Sequence, residues 1–147
     1  MPRSIRTVTS PAVPEPPPGL FSNCLVVGEV IHVSGQHAGT PRGAVGGASM
    51  LMQAREAFGR VLALVRAAGG CTDDVLKVTI YVCDMSRRAE VSAARREVFD
   101  EPFPCSTLVG VSALAQPDLL VEIDAIAVIG AGGRCAAGRS DSRAASA

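Results

Sequence analysis

The chain has 147 residues, 48% of them hydrophobic, and its formal net charge is zero. That length allows one domain with a real core, and because the chain has one tyrosine and no tryptophan, we expect this core to be aliphatic. The balanced charge, with no basic stretch, argues against nucleic acid as a partner. No apolar run approaches the roughly 20 residues of a membrane span, so no membrane partner is expected.

The five cysteines form an odd number with no CxxC spacing, which favours reduced thiols over a disulfide framework or a zinc site. Because the N-terminus also lacks a secretory signal, this pattern predicts a cytoplasmic protein without a metal. The glycine-rich loop "GTPRGAVGG" at 39–47 lacks the Gly-Lys-Ser/Thr ending of a phosphate-binding loop, and no cofactor is expected.

Both ends of the chain are predicted to lie outside the packed domain. "SIRTVTS" at 4–10 predicts a short strand, and "PAVPEPPPG" at 11–19 is proline-rich enough for an extended connector. "GAGGRCAAGRSDSRAASA" at 130–147 has the composition of a disordered tail. We therefore expect an N-terminal strand and connector (1–18), a packed domain (19–129) and a tail (130–147).

The domain begins with a predicted β-hairpin, "CLVVGEVIHVSG" at 24–35, whose apolar runs flank a Gly28-Glu29 turn. "MLMQAREAFGRVLALVRAAGG" at 50–70 predicts a helix, because its apolar residues recur at helical spacing. Ser49 is expected to cap its start, and Gly69-Gly70 to end it in a left-handed turn. The face expected to point inward carries Leu51, Ala54, Phe58, Val61, Leu62 and Val65.

Four further elements complete the domain. "VLKVTIYVC" at 75–83 alternates as a strand does, and "SRRAEVSAARREVFD" at 86–100 predicts a second helix capped by Ser86. "TLVGVS" at 107–112 and "LLVEIDAIAVI" at 119–129 predict two last strands. In the first of these strands Leu76, Val78, Ile80 and Val82 are expected to share one face, and in the helix Val91, Ala94 and Val98 are expected to point inward.

This order of elements predicts an α+β fold in which one β-sheet carries both helices on one face. In the last strand, Val121, Ile123, Ala125 and Ala127 can meet the helices. The opposite face is half apolar and half acidic, and carries Leu120, Glu122, Asp124, Ile126 and Val128. Since two helices cannot cover both faces, we expect the second face to be buried against other subunits, with carboxylates lining an inter-subunit cleft.

Three stretches stand in order and at characteristic spacings: "GLFSNCLVVGEVIHVSGQ", "QAREAFGRVLALVRAAGGCTDDVLKVTIYVCDM" and "LLVEIDAIAV". In them the sequence resembles the RidA (YjgF) family, also called L-PSP endoribonuclease-like, over nearly all of 19–129. The resemblance implies a chorismate-mutase-like fold and a homotrimer whose sheets form a central barrel, with ligand sites between subunits. It also implies hydrolysis of reactive enamines and imines, such as 2-aminoacrylate, to 2-keto acids and ammonia.

The resemblance also implies roles for single residues. Glu122 matches the glutamate that orients or activates water, and Ser34-Gly35 matches the backbone that lines the pocket. Phe21 falls at a family tyrosine and loses its hydroxyl, and Ser92 falls at a helix asparagine.

The largest departure from the family pattern lies in "PCST" at 104–107, where the deaminases read Pro-Ala-Arg-Ser. Ser106 takes the place of the arginine that binds the substrate carboxylate, so the chain is a divergent member of the pattern. A serine offers one neutral donor where a guanidinium offers two charge-assisted bonds. Arg42 in the glycine-rich loop is a candidate replacement if that loop folds over the cleft.

The neighbouring residues Cys105 and Thr107 have simple interpretations. Cys105 as a nucleophile would need a histidine or a helix N-terminus nearby, and His32 and His37 are the only histidines, so a small pocket-lining residue is the favoured interpretation. No Ser-His-Asp arrangement involves Ser106 or Thr107, so we expect these two residues to donate hydrogen bonds to a ligand.

Two functions follow from these residues. The favoured one is a homotrimeric hydrolase that deaminates imines, enamines or related small electrophilic metabolites, with Glu122 handling water and with Ser106, Gly35 and Arg42 holding the substrate. The alternative is a non-catalytic protein that binds a metabolite or a partner, because the arginine, tyrosine and asparagine of the pattern are missing.

Overall fold

The structure is a computed structural model that describes residues 4–133 and residue 135. One six-stranded sheet in the order β1-β2-β3-β6-β4-β5 carries two α-helices. Short 3-10 turns precede β4 and α2, at Thr72–Asp74 and Met85–Arg87. The elements are β1 Ile5–Thr7, β2 Cys24–Val27, β3 Val30–His37, α1 Met50–Ala67, β4 Val75–Val82, α2 Arg88–Val98, β5 Cys105–Gly110 and β6 Val121–Val128.

The sheet is mixed, because β4 and β5 run parallel while the other neighbouring strands pair antiparallel. Helix α1 packs against β3 and β6, and α2 packs against α1. The residues of β6 predicted to meet the helices are buried, namely Val121, Ile123, Ala125 and Ala127. The predicted α+β architecture with both helices on one face is therefore confirmed.

The predicted hairpin and first helix form as the sequence indicates. Val27 pairs with Val30 across the Gly28-Glu29 turn, and Gly28 has the positive φ of 62° that such a tight turn requires. The Ser49 side chain accepts a hydrogen bond from the Met52 amide and caps α1.

The core side of α1 agrees with the prediction except at one residue. Its inward face is fully buried at Ala54, Phe58, Val61 and Val65, whereas Leu51 is only half-buried.

Two local predictions are wrong. Leu76 was expected to share a face with Val78, Ile80 and Val82, which are buried, but its side chain is 46% exposed because the β4–β6 register shifts between Val75 and Lys77. Ser86 was expected to cap the second helix, but it lies inside a 3-10 turn that Asp84 caps by accepting a bond from the Ser86 amide at 3.0 Å, and α2 itself has no side-chain cap. A 3-10 turn therefore precedes α2 and delays its start to Arg88.

The prediction of reduced thiols throughout is wrong for two of the five cysteines. Cys71 and Cys135 form a disulfide across 64 positions, while Cys24, Cys83 and Cys105 are free. The buried Asp74 carboxylate organises this region, because it accepts hydrogen bonds from the amides of Cys71 and Gly132. Through these bonds and the disulfide, the segment after β6 is held against the turn that precedes β4. The cytoplasmic location was inferred partly from reduced thiols and stays a prediction.

The predicted N-terminal strand is present as β1, which pairs with β2 at the sheet edge. The proline-rich segment that follows is anchored, since Val13 is buried and the Pro14 carbonyl accepts a bond from the Asn23 amide group. The division into 1–18, 19–129 and 130–147 stays a prediction, and most of the predicted tail lies outside the described residues. Among the residues described, no helix is long and apolar enough to cross a membrane.

Candidate functional site

A β-bulge in β3 presents Ser34 and Gly35. Val33 pairs with Ala125 and Gln36 with Ile123, so β3 carries one residue more than β6 over this interval. Two buried amides hold the bulge in place. The Gln36 amide group donates to the Ser34 carbonyl at 3.1 Å and to the Asn23 side-chain oxygen at 3.4 Å, and the Ser34 amide donates to the Asn23 carbonyl at 2.9 Å.

Glu122 lies directly over this bulge. A Cβ atom built on Gly35 would collide with the Glu122 carboxyl group, so the absence of a side chain at 35 makes room for the carboxylate. Glu122 is half-buried on the sheet face opposite the helices, with Tyr81 and His37 as its cross-strand partners. The structure thus brings together three predicted site residues, Ser34, Gly35 and Glu122.

His37 is the titratable neighbour of Glu122. Its Nδ1 atom accepts the Gly39 amide proton at 3.0 Å, which leaves the ring proton of the neutral form on Nε2. The buried Arg60 guanidinium fixes the backbone here, donating to the carbonyls of His37 at 2.6 Å and Gly39 at 3.0 Å. Burial lowers the pKa of His37, and the Glu122 carboxylate offsets part of that shift.

Asp124 has a different partner from Glu122. It accepts a hydrogen bond from the Tyr81 hydroxyl at 3.0 Å, and this bond raises the pKa of Tyr81. Asp124 therefore holds the only tyrosine of the chain in place, which agrees with a structural role and leaves Glu122 as the carboxylate beside the bulge.

A second group of polar side chains lies at the sheet edge between α2 and β5. Arg95 of α2 donates from Nη1 to the Ser106 hydroxyl at 2.6 Å and from Nη2 to the Ser92 hydroxyl at 3.3 Å. Ser106 is exposed, and Ser92 and Arg95 are half-buried. Both serines were predicted site residues, and the guanidinium that joins them was not predicted.

The remaining candidates lie apart from these contacts. Thr107 accepts a hydrogen bond from the Lys77 ammonium at 3.1 Å, and Cys105 is an exposed free thiol at the start of β5. Arg42 is exposed in a turn that is held by the hydrogen bond from the Ala44 amide to Asp118. Phe21 is 54% exposed. The binding roles of all four residues stay predictions.

The bulge group (Ser34, Gly35, Glu122) and the edge group (Ser92, Arg95, Ser106) do not meet within one chain. Ser106 pairs with Val78, whose side chain is buried under the helices, whereas Glu122 lies on the other face. Two strand spacings separate them, about 10 Å, and three residues along β6 add about 10 Å more. One chain therefore carries two parts of the predicted site, on opposite faces of the sheet.

The same topology excludes a Cys105–histidine pair within the chain. Cys105 lies on β5 and both histidines lie on β3, with β6 and β4 between them. Three strand spacings amount to about 14 Å, far beyond hydrogen-bond reach.

Several residues that shape the site were missed from sequence. Arg95 gave no signal, because an arginine on the outer side of an amphipathic helix is ordinary. Gln53 and Arg60 did give a sequence signal, because both are polar residues next to the apolar face of α1. The structure shows that both are buried. Gln53 bonds to the Asp118 carbonyl and the Leu120 amide, and so fixes the entry to β6 two residues before Glu122.

The described residues also bring together one set of potential metal ligands, Cys71, Asp74 and Cys135. Their two sulfurs are joined in the disulfide. None of these three residues belongs to the bulge group or the edge group.

The sequence was compared with protein families and with curated proteins. The family model described as Endoribonuclease L-PSP matches residues 13–129. The 2-iminobutanoate/2-iminopropanoate deaminase of Escherichia coli (strain K12) is 34% identical over 131 residues, which cover 87% of this chain and 98% of that protein. A RutC family protein of Pyrococcus horikoshii is 34% identical over 112 residues, or 76% of this chain and 88% of that protein.

The fold was also compared with solved structures. The crystal structure of the YjgF gene product from E. coli matches with a TM-score of 0.74 at 32% identity, covering 84% of this chain and 98% of that one. A protein of unknown function from Pseudomonas aeruginosa matches with a TM-score of 0.78 at 36% identity, covering 86% and 94%. The predicted chorismate-mutase-like fold is thereby confirmed, and the chain belongs to the RidA (YjgF) family that the Endoribonuclease L-PSP model describes.

Proposed function

We propose that this protein hydrolyses small 2-imino acids to 2-oxo acids and ammonia, in clefts formed between the copies of a homotrimer. The observation that carries the proposal is the Glu122 carboxylate held over the Gly35 backbone beside Ser34. Relatives named 2-iminobutanoate/2-iminopropanoate deaminase support the substrate class.

In this reaction a water molecule adds its oxygen to the imine carbon. Glu122 takes one proton from that water as the C–O bond forms, which generates the nucleophile near neutral pH. The same carboxyl group returns this proton to the imine nitrogen, which gives a carbinolamine. Glu122 then moves the proton of the new hydroxyl group to the amino nitrogen, so the C–N bond breaks, the C=O bond forms and ammonia leaves. The exposed Phe21 ring, which falls at a family tyrosine, is the candidate apolar wall for the alkyl chain of the substrate.

The trimer is part of the proposal because the two groups of site residues lie on opposite faces of one sheet. A cleft between copies would bring the bulge group of one chain to the edge group of another. The open face also exposes apolar side chains, with Leu76 at 46% and Ile126 at 38%, which a second copy would bury. Light scattering tests this directly, and a particle of the 15.1 kDa chain mass would contradict it.

The activity is tested by generating 2-iminobutanoate in situ with a threonine dehydratase and following 2-oxobutanoate release with and without this protein. We expect faster release at catalytic amounts of protein. No acceleration at stoichiometric amounts would contradict deamination. Saturable binding of 2-oxobutanoate without turnover would then support a metabolite-binding protein, the alternative function.

A further inference from the structure

Resting on the proposed function, we propose that Arg95 of α2 is the residue that binds the substrate carboxylate. The inference depends on where the Arg95 side chain is held, on the charge it carries there and on the surface around it.

The position of Arg95 is set by two hydroxyl groups. Ser106 on β5 and Ser92 one turn earlier on α2 accept from its two terminal nitrogens, at 2.6 Å and 3.3 Å. These bonds fix the plane of the guanidinium and use two of its five N–H donors. A preordered guanidinium with donors to spare is suited to bind a carboxylate through two parallel hydrogen bonds.

The hydrogen-bond partners of Arg95 differ from those of three other arginines. Arg55, Arg60 and Arg87 each pair with a glutamate carboxylate. Both hydrogen bonds of Arg95 go to neutral hydroxyls, so its positive charge is not balanced by them. An anionic ligand would supply the missing countercharge.

The surface beside Arg95 is open and basic. A shallow depression of about 350 Å³ runs along α2, lined by Ser86, Arg88, Ala89, Ser92 and Arg96. Ser92 belongs both to this depression and to the edge group. Arg95 is only half-buried and Ser106 is exposed, so a ligand can reach the Arg95 guanidinium from solvent. The small hydroxyl at Ser106 also leaves room for Arg95, because an arginine built at 106 would meet it with a like charge.

The test measures binding of 2-oxobutanoate and of its methyl ester to the intact oligomer by calorimetry, together with the deaminase kinetics. In Arg95→Gln we expect the affinity for the acid to fall about 10- to 100-fold, since a charge-assisted pair of bonds is lost. The ester should bind both proteins equally. KM for the imine should rise by the same factor while kcat changes much less, a split that a structural role would not produce.

Two further variants complete the design. Arg66→Gln, an exposed arginine of α1, serves as the matched control and should leave affinity unchanged. The exchange Arg95→Ser with Ser106→Arg should regain most of the lost affinity, because it returns one guanidinium to the same place from the strand.

The outcomes separate this inference from the proposed function. Equal affinity for the acid in wild type and Arg95→Gln, or no preference of the wild type for acid over ester, overturns the inference even if deamination is observed. Arg95-dependent binding without any deamination supports the inference and overturns the proposed function.

Discussion

The carboxyl group of Glu122 occupies the space that a side chain on Gly35 would need. Because Gly35 sits in a bulge braced by Asn23 and Gln36, its backbone cannot easily move away. Glu122 and Gly35 therefore act as one unit, in which the missing side chain of one residue sets the position of the other.

Replacing Gly35 with alanine should displace the Glu122 carboxylate. A displacement of about 1 Å at a catalytic group can cost on the order of 100-fold in rate, so we expect a loss of that size in kcat/KM for the imine. The matched control is Gly59→Ala in α1, where an added Cβ meets nothing within 4 Å. That variant should keep full activity and gain up to about 1 kcal/mol of stability. Full activity in Gly35→Ala would show that Glu122 can move without consequence.

Glu122→Gln removes the proposed base and retains the shape of the side chain. We expect kcat to fall about 10²- to 10⁴-fold with little change in the thermal unfolding midpoint. Asp124→Asn is the comparison, because Asp124 is engaged by Tyr81 and should affect stability more than rate. A Glu122→Gln protein with wild-type kcat would remove Glu122 from the mechanism.

The stability of the protein should depend on pH through His37. Its pKa in the folded protein lies below the ordinary value of 6.5, so between the two values the unfolded chain binds more protons. The free energy of unfolding should therefore be highest above pH 6.5 and fall as the pH decreases through that window.

Urea unfolding at several pH values on both sides of 6.5 checks this dependence. His37→Gln should lose the part of the slope that arises just below 6.5, while His32→Gln, at the exposed histidine of the same strand, should keep it. Parallel slopes in wild type and His37→Gln would contradict the role of His37.

The disulfide can be tested by counting free thiols before and after reduction. Without reductant, the denatured protein should show the three free thiols of Cys24, Cys83 and Cys105, and all five cysteines after reduction. Cys135→Ser should lower stability by about 4 kcal/mol, the loop-entropy value for a closed loop of this length. Five thiols before reduction would mean that Cys71 and Cys135 are not bonded in solution.

Local patterns predicted most of the fold, because periodicity, caps and turn residues act over a few positions. The Gly28-Glu29 turn and the Ser49 cap are of this kind. The features that were missed depend on long-range contacts: the register shift that exposes Leu76 and the pairing of Cys71 with Cys135. No spacing rule encodes these contacts.

The site residues also divide into those that the sequence predicted and those that depend on long-range contacts. Glu122, Ser34 and Gly35 were found through a family pattern, and the structure brings them together. Arg95 was missed because its importance arises only where α2 crosses β5, eleven residues away from Ser106 in the chain.

Because the bulge and edge groups lie on opposite sheet faces, two inactive variants are expected to restore activity when they assemble into one oligomer. In the proposed trimer, each cleft takes Glu122 from one copy and Arg95 from its neighbour. Mixed trimers of Glu122→Gln and Arg95→Gln chains would then contain some clefts with both native residues. Refolding an equal mixture should restore about one quarter of the wild-type activity, by random assortment of neighbours in a cyclic oligomer.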